Sequence, residues 1–205
     1  LTENQVSYPS YVDDYIEKNK AIPGAGLFKD FTSNIFDIKN GYDFTNASGY
    51  LDFNISKHAA VQFGHGRNFI GSGYRSMLLS DFAVNYFYLK RNWRAGDFLL
   101  QNIFSEAAAR SAAQNNGDQL LPKKFTASHY LGWQPSSKFQ IGLFESVVFN
   151  RTDGFELQYL NPVILYRTVE TYLGSPDNVL LGVDAYWNFL PGFQAYGQFI
   201  LDEFK

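Results

Sequence analysis

The chain of 205 residues contains no cysteine, few histidines and no basic run. The absence of cysteine excludes a disulfide framework, a thiolate metal site and a cysteine nucleophile. Lysine and arginine number 17 against 20 aspartates and glutamates, so no charged surface attracts nucleic acid and we expect no nucleic-acid partner. No apolar stretch approaches the roughly 18 residues of a membrane helix.

Aromatic residues, in contrast, are abundant: 14 tyrosines and 20 phenylalanines contribute to an aromatic content of 18%. Apolar and polar residues alternate most clearly over 179 to 189, where Val183 and Trp187 flank Asp184 and Tyr186 in an alternating series. A period of two predicts a strand with one apolar face. The same pattern predicts seven further strands, at 46–55, 59–64, 82–93, 97–105, 123–133, 139–149 and 193–204.

The connections between these strands alternate in length. Short turns at 56–58, 94–96, 134–138 and 190–192 are separated by long connections at 65–81, 106–122 and 150–178. This rhythm is typical of an all-β fold, an antiparallel up-and-down transmembrane β-barrel with long outer loops. Trp93, Trp133 and Trp187 each stand just before a short turn, which predicts an aromatic girdle at one membrane interface.

A soluble β-sandwich or a lipocalin-like barrel is the alternative, because both also alternate apolar and polar residues. Glu145 favours that alternative, since it shares a face with Leu143 and Val147 where a membrane barrel would contact lipid. The turn rhythm and the tryptophans favour the membrane barrel.

Two long connections are predicted to carry short helices. Ser105 followed by "EAAARSAAQ" has an N-cap and good helix formers, and 10–20 has a weaker helical pattern. Residues 5–45 are predicted to form a long outer loop, preceded by the end of a strand at Leu1 to Asn4. An open sheet of eight strands would expose both edges to lipid, so we expect 1–205 to be an internal part of a single, larger barrel domain.

The glycine-rich stretch 63–81, "FGHGRNFIGSGYRSMLLSD", does not match the motifs of nucleotide or hydrolase chemistry. Phe69 replaces the third glycine of a dinucleotide fingerprint, and Ser72 with Gly73 replaces the lysine and hydroxyl of a P-loop. The histidines lack zinc-binding spacing. We therefore predict no catalytic residue, no metal site and no cofactor. A lumenal hydrolase that pairs a serine with His65 or His129 is retained as an alternative.

The glycine-rich stretch and the segment 158–178 both belong to the long outer connections. The second segment is too apolar to be solvated, so we expect it to fold inward as a plug or as an irregular strand pair. Arginines beside tyrosines in one lumen would suit sugars that carry carboxylates. The predicted ligand-binding residues are His65, Arg67, Tyr74, Arg75, Tyr159, Tyr166 and Arg167. Alternatively, the three arginines pair with Asp81, Glu145, Glu170 or Asp184 and hold the plug to the wall.

Several motifs together resemble the capsule-assembly Wzi-like family of outer-membrane barrels, and most closely its gliding-motility branch in Bacteroidota, the RemB-type proteins. They are "QFGHGRNFIGSGYRSMLLSD", "ASHYLGW", "IGLFESVVF", "YLNPVILYR", "LGSPDN" and "YGQFILDEF". Within the first motif, Ser72 stands where the family pattern leads us to expect an aspartate.

The resemblance implies a non-enzymatic protein of the bacterial outer membrane that binds or assembles capsule or exopolysaccharide and takes part in gliding motility. The partners it implies are outer-membrane lipid, acidic polysaccharide and the proteins of a surface complex. A structural subunit of a secretion or adhesion assembly is the alternative function.

Overall fold

The computed structural model describes residues 10–19, 21–22, 26–27, 29–43, 46–108, 122–151, 154–162, 165–174 and 177–202. Its main element is one antiparallel sheet of eight strands in which each strand pairs with its neighbours in the chain. The strands are β5 (Gly49–Ser56), β6 (Ala59–Gly66), β7 (Tyr86–Ala95), β8 (Phe98–Ala108), β9 (Lys123–Ser136), β10 (Phe139–Phe149), β11 (Asn178–Leu190) and β12 (Phe193–Asp202). The prediction of eight strands in an up-and-down meander is confirmed.

The part of the chain before this sheet contains more regular structure than the outer loop predicted for 5–45. The helix α1 (Ser10–Asn19) confirms the helical pattern there. Two small antiparallel pairs follow, β1 (Ala21–Ile22) with β2 (Gly26–Leu27) and β3 (Lys29–Ser33) with β4 (Ile38–Asp43). The strand end predicted at Leu1 to Asn4 lies outside the described residues.

The helix predicted after Ser105 does not begin there. Strand β8 continues to Ala108, and Ser105 pairs with Thr126 of β9 through their hydroxyl groups, 2.6 Å apart. Each added residue of β8 forms ladder contacts with β9, and this tertiary pairing overrides the helix propensity of the alanines. The remainder of the predicted helix, 109–114, lies outside the described residues.

The two faces of the sheet differ in chemistry. Because directly paired residues of an antiparallel sheet lie on the same face, the register assigns every side chain to one side. One row across the strands consists of Trp93, Leu100, Leu131, Leu143, Val183 and Phe199. The opposite side carries Asp52, Lys90, Gln101, Tyr130, Asp184 and Gln198. We call these sides the apolar face and the polar face.

The long connection between β10 and β11 contains two short helices, a 3-10 helix (Leu157–Leu160) and α2 (Tyr166–Leu173). They replace the irregular strand pair that was one of the two forms expected for this segment. Gly174 ends α2 in the left-handed conformation with φ of 61°, and its N–H is bonded to the carbonyl of Thr171.

Strands β5 and β12 form the two edges of the sheet, and within the described ranges they are not hydrogen-bonded to each other. None of the helices in the described parts of the chain has the length and apolarity needed to cross a membrane.

Candidate functional site

The glycine-rich connection between β6 and β7 lies across the polar face. Ile70, together with Leu78 and Leu79, packs on a cluster contributed by successive strands. The strand residues of this cluster are Tyr86, Tyr88, Ile103, Tyr130, Phe144 and Ile200. These residues belong to β7, β8, β9, β10 and β12, so the connection packs over this part of the polar face.

Hydrogen bonds fix the far end of this connection to β11 and β12. The Ser72 hydroxyl donates to Oδ2 of the buried Asp184 at 2.6 Å, across 112 residues of sequence. Gln198 donates to the Ser72 carbonyl at 3.2 Å and accepts from the Met77 N–H at 2.7 Å. This hydrogen bond gives a reason for serine at position 72, where an aspartate was expected. An ionised aspartate there could not donate a hydrogen bond to Asp184, and the two carboxylates would repel each other.

Two glycines allow the close approach at this end. Gly71 and Gly73 have φ of 113° and 109°, in the region that favours glycine. A Cβ at Gly71 would collide with the Gln198 side chain, and one at Gly73 would collide with the Tyr196 ring. The glycines therefore serve to bring the backbone against β12, and not to bind a phosphate.

Polar contacts also fix the near end. Asn68 is buried, accepts from Lys90 Nζ at 3.0 Å, and donates its N–H to the Tyr86 hydroxyl. Arg67 donates to Asn85 Oδ1 and to the Asp81 carbonyl, both at 3.3 Å. Arg67 thus holds the part of the connection that leads back to β7, where it bonds to the backbone carbonyl of Asp81 and not to its carboxylate.

The same connection also carries an aromatic and cationic cluster that is exposed to solvent. The Arg75 guanidinium lies 4.4 Å from the centroid of the Phe82 ring and 5.7 Å from that of Tyr74, whose side chain is 82% exposed. We call Tyr74, Arg75 and Phe82 the exposed cluster. Phe82 was missed because the pattern placed it in a strand from 82, whereas β7 begins at Tyr86.

The aromatic connection between β10 and β11 packs on the opposite, apolar face. Tyr159 and Tyr166 are 0% exposed and lie among Phe104, Phe125 and Phe149. The Tyr159 hydroxyl donates to Asp177 Oδ2 at 2.7 Å, and Arg151 forms a bidentate ion pair with the same carboxylate. Burial raises the pKa of Tyr159, and the bond to Asp177 raises it further.

Glu145 fixes the start of α2. Its carboxylate is 3% exposed on the apolar face and accepts from the backbone N–H groups of Tyr166 at 2.8 Å and Arg167 at 3.1 Å. Leu165, the N-cap residue, supplies no side-chain bond. Glu145 therefore caps the helix from a neighbouring strand, where the positive end of the helix dipole favours a negative charge. This contact explains a carboxylate on a face where lipid was expected.

Glu145 belongs to a row of polar residues that crosses the apolar face. Arg91, Asn102, His129 and Glu145 are paired in register on β7 to β10. Arg91 donates to the Leu160 carbonyl at 3.2 Å, and the His129 ring lies 4.0 Å from the ring of Tyr166. The alternation along each strand places these four residues on one face, but it does not show that they lie opposite one another. Their alignment depends on the register of the hairpins.

The structure separates the predicted site residues into two groups. Arg67, Tyr74 and Arg75 lie over the polar face, whereas Tyr159, Tyr166 and Arg167 lie over the apolar face. The expectation that both connections share one lumen is wrong, because each packs on the face that matches its own chemistry. Tyr159 and Tyr166 are covered by the core, and Arg167 pairs with Glu170 at 2.6 Å within α2, so this ion pair does not hold the connection to the strands.

His65 does not lie with Arg67, Tyr74 and Arg75, although the four were predicted to bind one ligand. It follows the register of the apolar face, where its ring lies 4.9 Å from Phe87, and its Nδ1 is 2.9 Å from the Ala47 carbonyl. His129 lies on that face too, whereas Ser72 is bonded to Asp184 on the polar face. A hydrolase that uses Ser72 with either histidine would need both groups on one side of the sheet.

Among the described residues, no group of three or more histidine, aspartate or glutamate side chains is arranged to hold a metal ion. Comparison with protein-family models, with curated proteins and with solved structures finds no match to this chain.

Proposed function

We propose that this chain forms part of an outer-membrane β-barrel that binds acidic polysaccharide at the cell surface, without catalysing a reaction. The observation that carries the proposal is the exposed cluster of Tyr74, Arg75 and Phe82 on a connection fixed across the polar face. The family that the sequence resembles favours the same role, in capsule or exopolysaccharide assembly and in gliding motility.

The membrane part of the proposal is supported by the exposure of the apolar face. This face exposes large side chains on every strand of the sheet, with Phe53, Phe63, Trp93, Phe98, Leu131, Leu143, Trp187 and Phe199 among them. Soluble monomers rarely expose a continuous apolar surface of this width. A barrel whose apolar face contacts lipid and whose polar face lines the lumen accounts for both sides of the sheet.

The ligand part is supported by the chemistry of the exposed cluster. A guanidinium beside two rings donates forked hydrogen bonds to a carboxylate, while the rings offer flat faces to a sugar. Arg75 is exposed and is held by ring contacts in the described structure. Those contacts fix its position without occupying its hydrogen-bond donors.

The test measures binding of an acidic and a neutral polysaccharide to the complete protein in detergent. The protein first has to shift in gel mobility on boiling, as a folded barrel does. We expect Arg75→Gln to weaken binding of the acidic polymer about 10-fold or more, the effect of losing a bond to a charged group. Arg94→Gln is the control, because Arg94 is an exposed arginine at the opposite, short-turn end of the polar face.

A second pair of variants tests the ring contact. Tyr74 and Tyr172 are each 82% exposed, but Tyr172 belongs to α2 on the apolar side. Tyr74→Ala is expected to weaken binding, and Tyr172→Ala to leave it unchanged. Equal binding by all four variants would overturn the ligand role. Copurification of a stoichiometric protein partner in that case would instead support the structural subunit of a surface assembly.

A further inference from the structure

A groove of about 610 Å³ opens on the apolar face beneath the start of α2. Leu131, Leu143, Val183 and Leu201 form its floor across β9 to β12, and Pro162 with Leu165 overhangs it. The overhang is held by the Glu145 carboxylate, which binds the first N–H groups of α2. The groove is therefore a formed feature of the packed connection, with a volume in the usual range of ligand sites.

The lining of the groove selects an apolar occupant. Among the described residues that line it, His129 and Glu145 alone carry ionisable groups. Both oxygens of Glu145 already accept backbone N–H groups, so a polar ligand along the leucine floor would lose its hydrogen bonds to water without replacement. A flexible hydrocarbon chain loses nothing polar on entering, and it gains van der Waals contacts with the walls of the groove.

The aromatic side chains on the same face indicate where that hydrocarbon comes from. Trp93, Trp133 and Trp187 project from the apolar face near the short turns, all more than 40% exposed. Indole rings at one level of an apolar surface are typical of a lipid headgroup boundary and are not required by a protein partner. The groove floor continues this surface through Leu131, two residues from Trp133.

We propose that the groove holds one acyl chain of a membrane lipid, with the overhang of α2 retaining it against the barrel wall. This inference rests on the proposed placement of the apolar face in lipid. The overhang would then lie at the level of the outer leaflet, and Glu145 would control lipid retention by fixing Leu165.

The first experiment uses spin labels, because the chain has no cysteine of its own. Leu143→Cys labels the groove floor, and Phe63→Cys labels the same face outside the groove, at similar exposures of 58% and 52%. The complete protein is placed in phosphatidylethanolamine and phosphatidylglycerol vesicles. Collisions with oxygen report hydrocarbon, and collisions with a water-soluble nickel chelate report water. We expect oxygen to dominate at both positions.

The outcomes separate the two proposals. If nickel dominates at Phe63, the placement in lipid is wrong and both proposals about this face are overturned. If oxygen dominates at Phe63 but nickel dominates at Leu143, or neither reagent reaches it, the groove holds water or protein and only the acyl-chain inference is overturned.

The second experiment counts retained lipids by native mass spectrometry after mild detergent extraction from the same vesicles. Val183→Phe fills the groove, and Leu201→Phe fills its far end as a second variant. Val61→Phe is the matched control on the apolar face of β6, outside the groove lining. We expect either groove variant to retain one lipid fewer per protein than Val61→Phe. Equal lipid counts in folded variants would overturn the inference.

Discussion

The two long connections of this protein use the same residue types on opposite faces of one sheet. The glycine-rich connection exposes Tyr74 and Arg75, whereas the aromatic connection buries Tyr159 and Tyr166 completely. The first is fixed largely by side-chain hydrogen bonds such as Ser72 to Asp184, and the second by an apolar cluster with one carboxylate at its helix end. Tyr159 and Tyr166 are covered because they pack against the strands, whereas Tyr172 of the same connection stays exposed, so contact with the sheet decides whether a tyrosine can meet a ligand.

The two connections also differ in which side chains anchor them to the sheet and which remain available to a ligand. Over the polar face, hydrogen bonds of Asn68, Ser72 and Met77 anchor the connection, and the ring and guanidinium groups of the exposed cluster remain free for a ligand. Over the apolar face, the aromatic rings themselves form the anchor. Substitutions in the two connections should therefore affect different measurements.

The largest expected effect is at Glu145. Glu145→Ala leaves the first two N–H groups of α2 without the carboxylate, and we expect the free energy of unfolding to fall by about 2–4 kcal/mol. Denaturant unfolding of the complete protein, with protease cleavage near α2 as a local probe, measures the change. Glu106→Ala is the control, since its ion pair with Lys123 is exposed and should contribute about 1 kcal/mol or less. Equal losses in both variants would mean that the cap has no special role.

A smaller effect is expected where the glycine-rich connection meets β11. Ser72→Asp replaces a donor to Asp184 with a second carboxylate, and Ser72→Ala only removes the donor. We expect losses of about 1–3 kcal/mol in the stability of the docked connection, larger for Ser72→Asp. Hydrogen exchange of the amides from Asn68 to Phe82 measures the docking. Unchanged exchange in Ser72→Asp would show that the buried bond does not hold the connection.

Tyr159 and Tyr166 of the aromatic connection differ in the hydrogen bonding of their hydroxyl groups. The Tyr159 hydroxyl donates to Asp177, whereas that of Tyr166 is buried with no hydrogen-bond partner among the described residues. Tyr159→Phe should therefore cost about 1–2 kcal/mol, and Tyr166→Phe should be neutral or slightly stabilising. Thermal unfolding of the two single variants decides the matter, because they remove the same atom from neighbouring rings. A greater loss in Tyr166→Phe would contradict the assignment.

The eight strands could be predicted because both of their signals are local. Alternation places side chains on two faces, and the turn residues fix where each hairpin reverses. The face chosen by each long connection could not be predicted in this way. Ser72 and Asp184 are 112 residues apart, and the partner of Glu145 is a backbone N–H that has no side-chain signature. Ser105 shows the same limit, since pairing with Thr126 overrides a local helix pattern.

The smallest expected effect is a difference in stability at alkaline pH, which arises from ionisation of the buried Tyr166 hydroxyl. Burial raises the pKa of Tyr166 above its ordinary value of about 10, and the nearby Glu145 carboxylate raises it further. Because the folded state binds this proton more tightly, the contribution of Tyr166 to stability is complete below pH of about 10 and is lost as the pH rises through the raised pKa. Unfolding measured from pH 8 to 12 should show a steeper alkaline loss in the parent protein than in Tyr166→Phe. Parallel curves would mean that the Tyr166 ring is open to water, and its placement in the core of the aromatic connection would then be wrong.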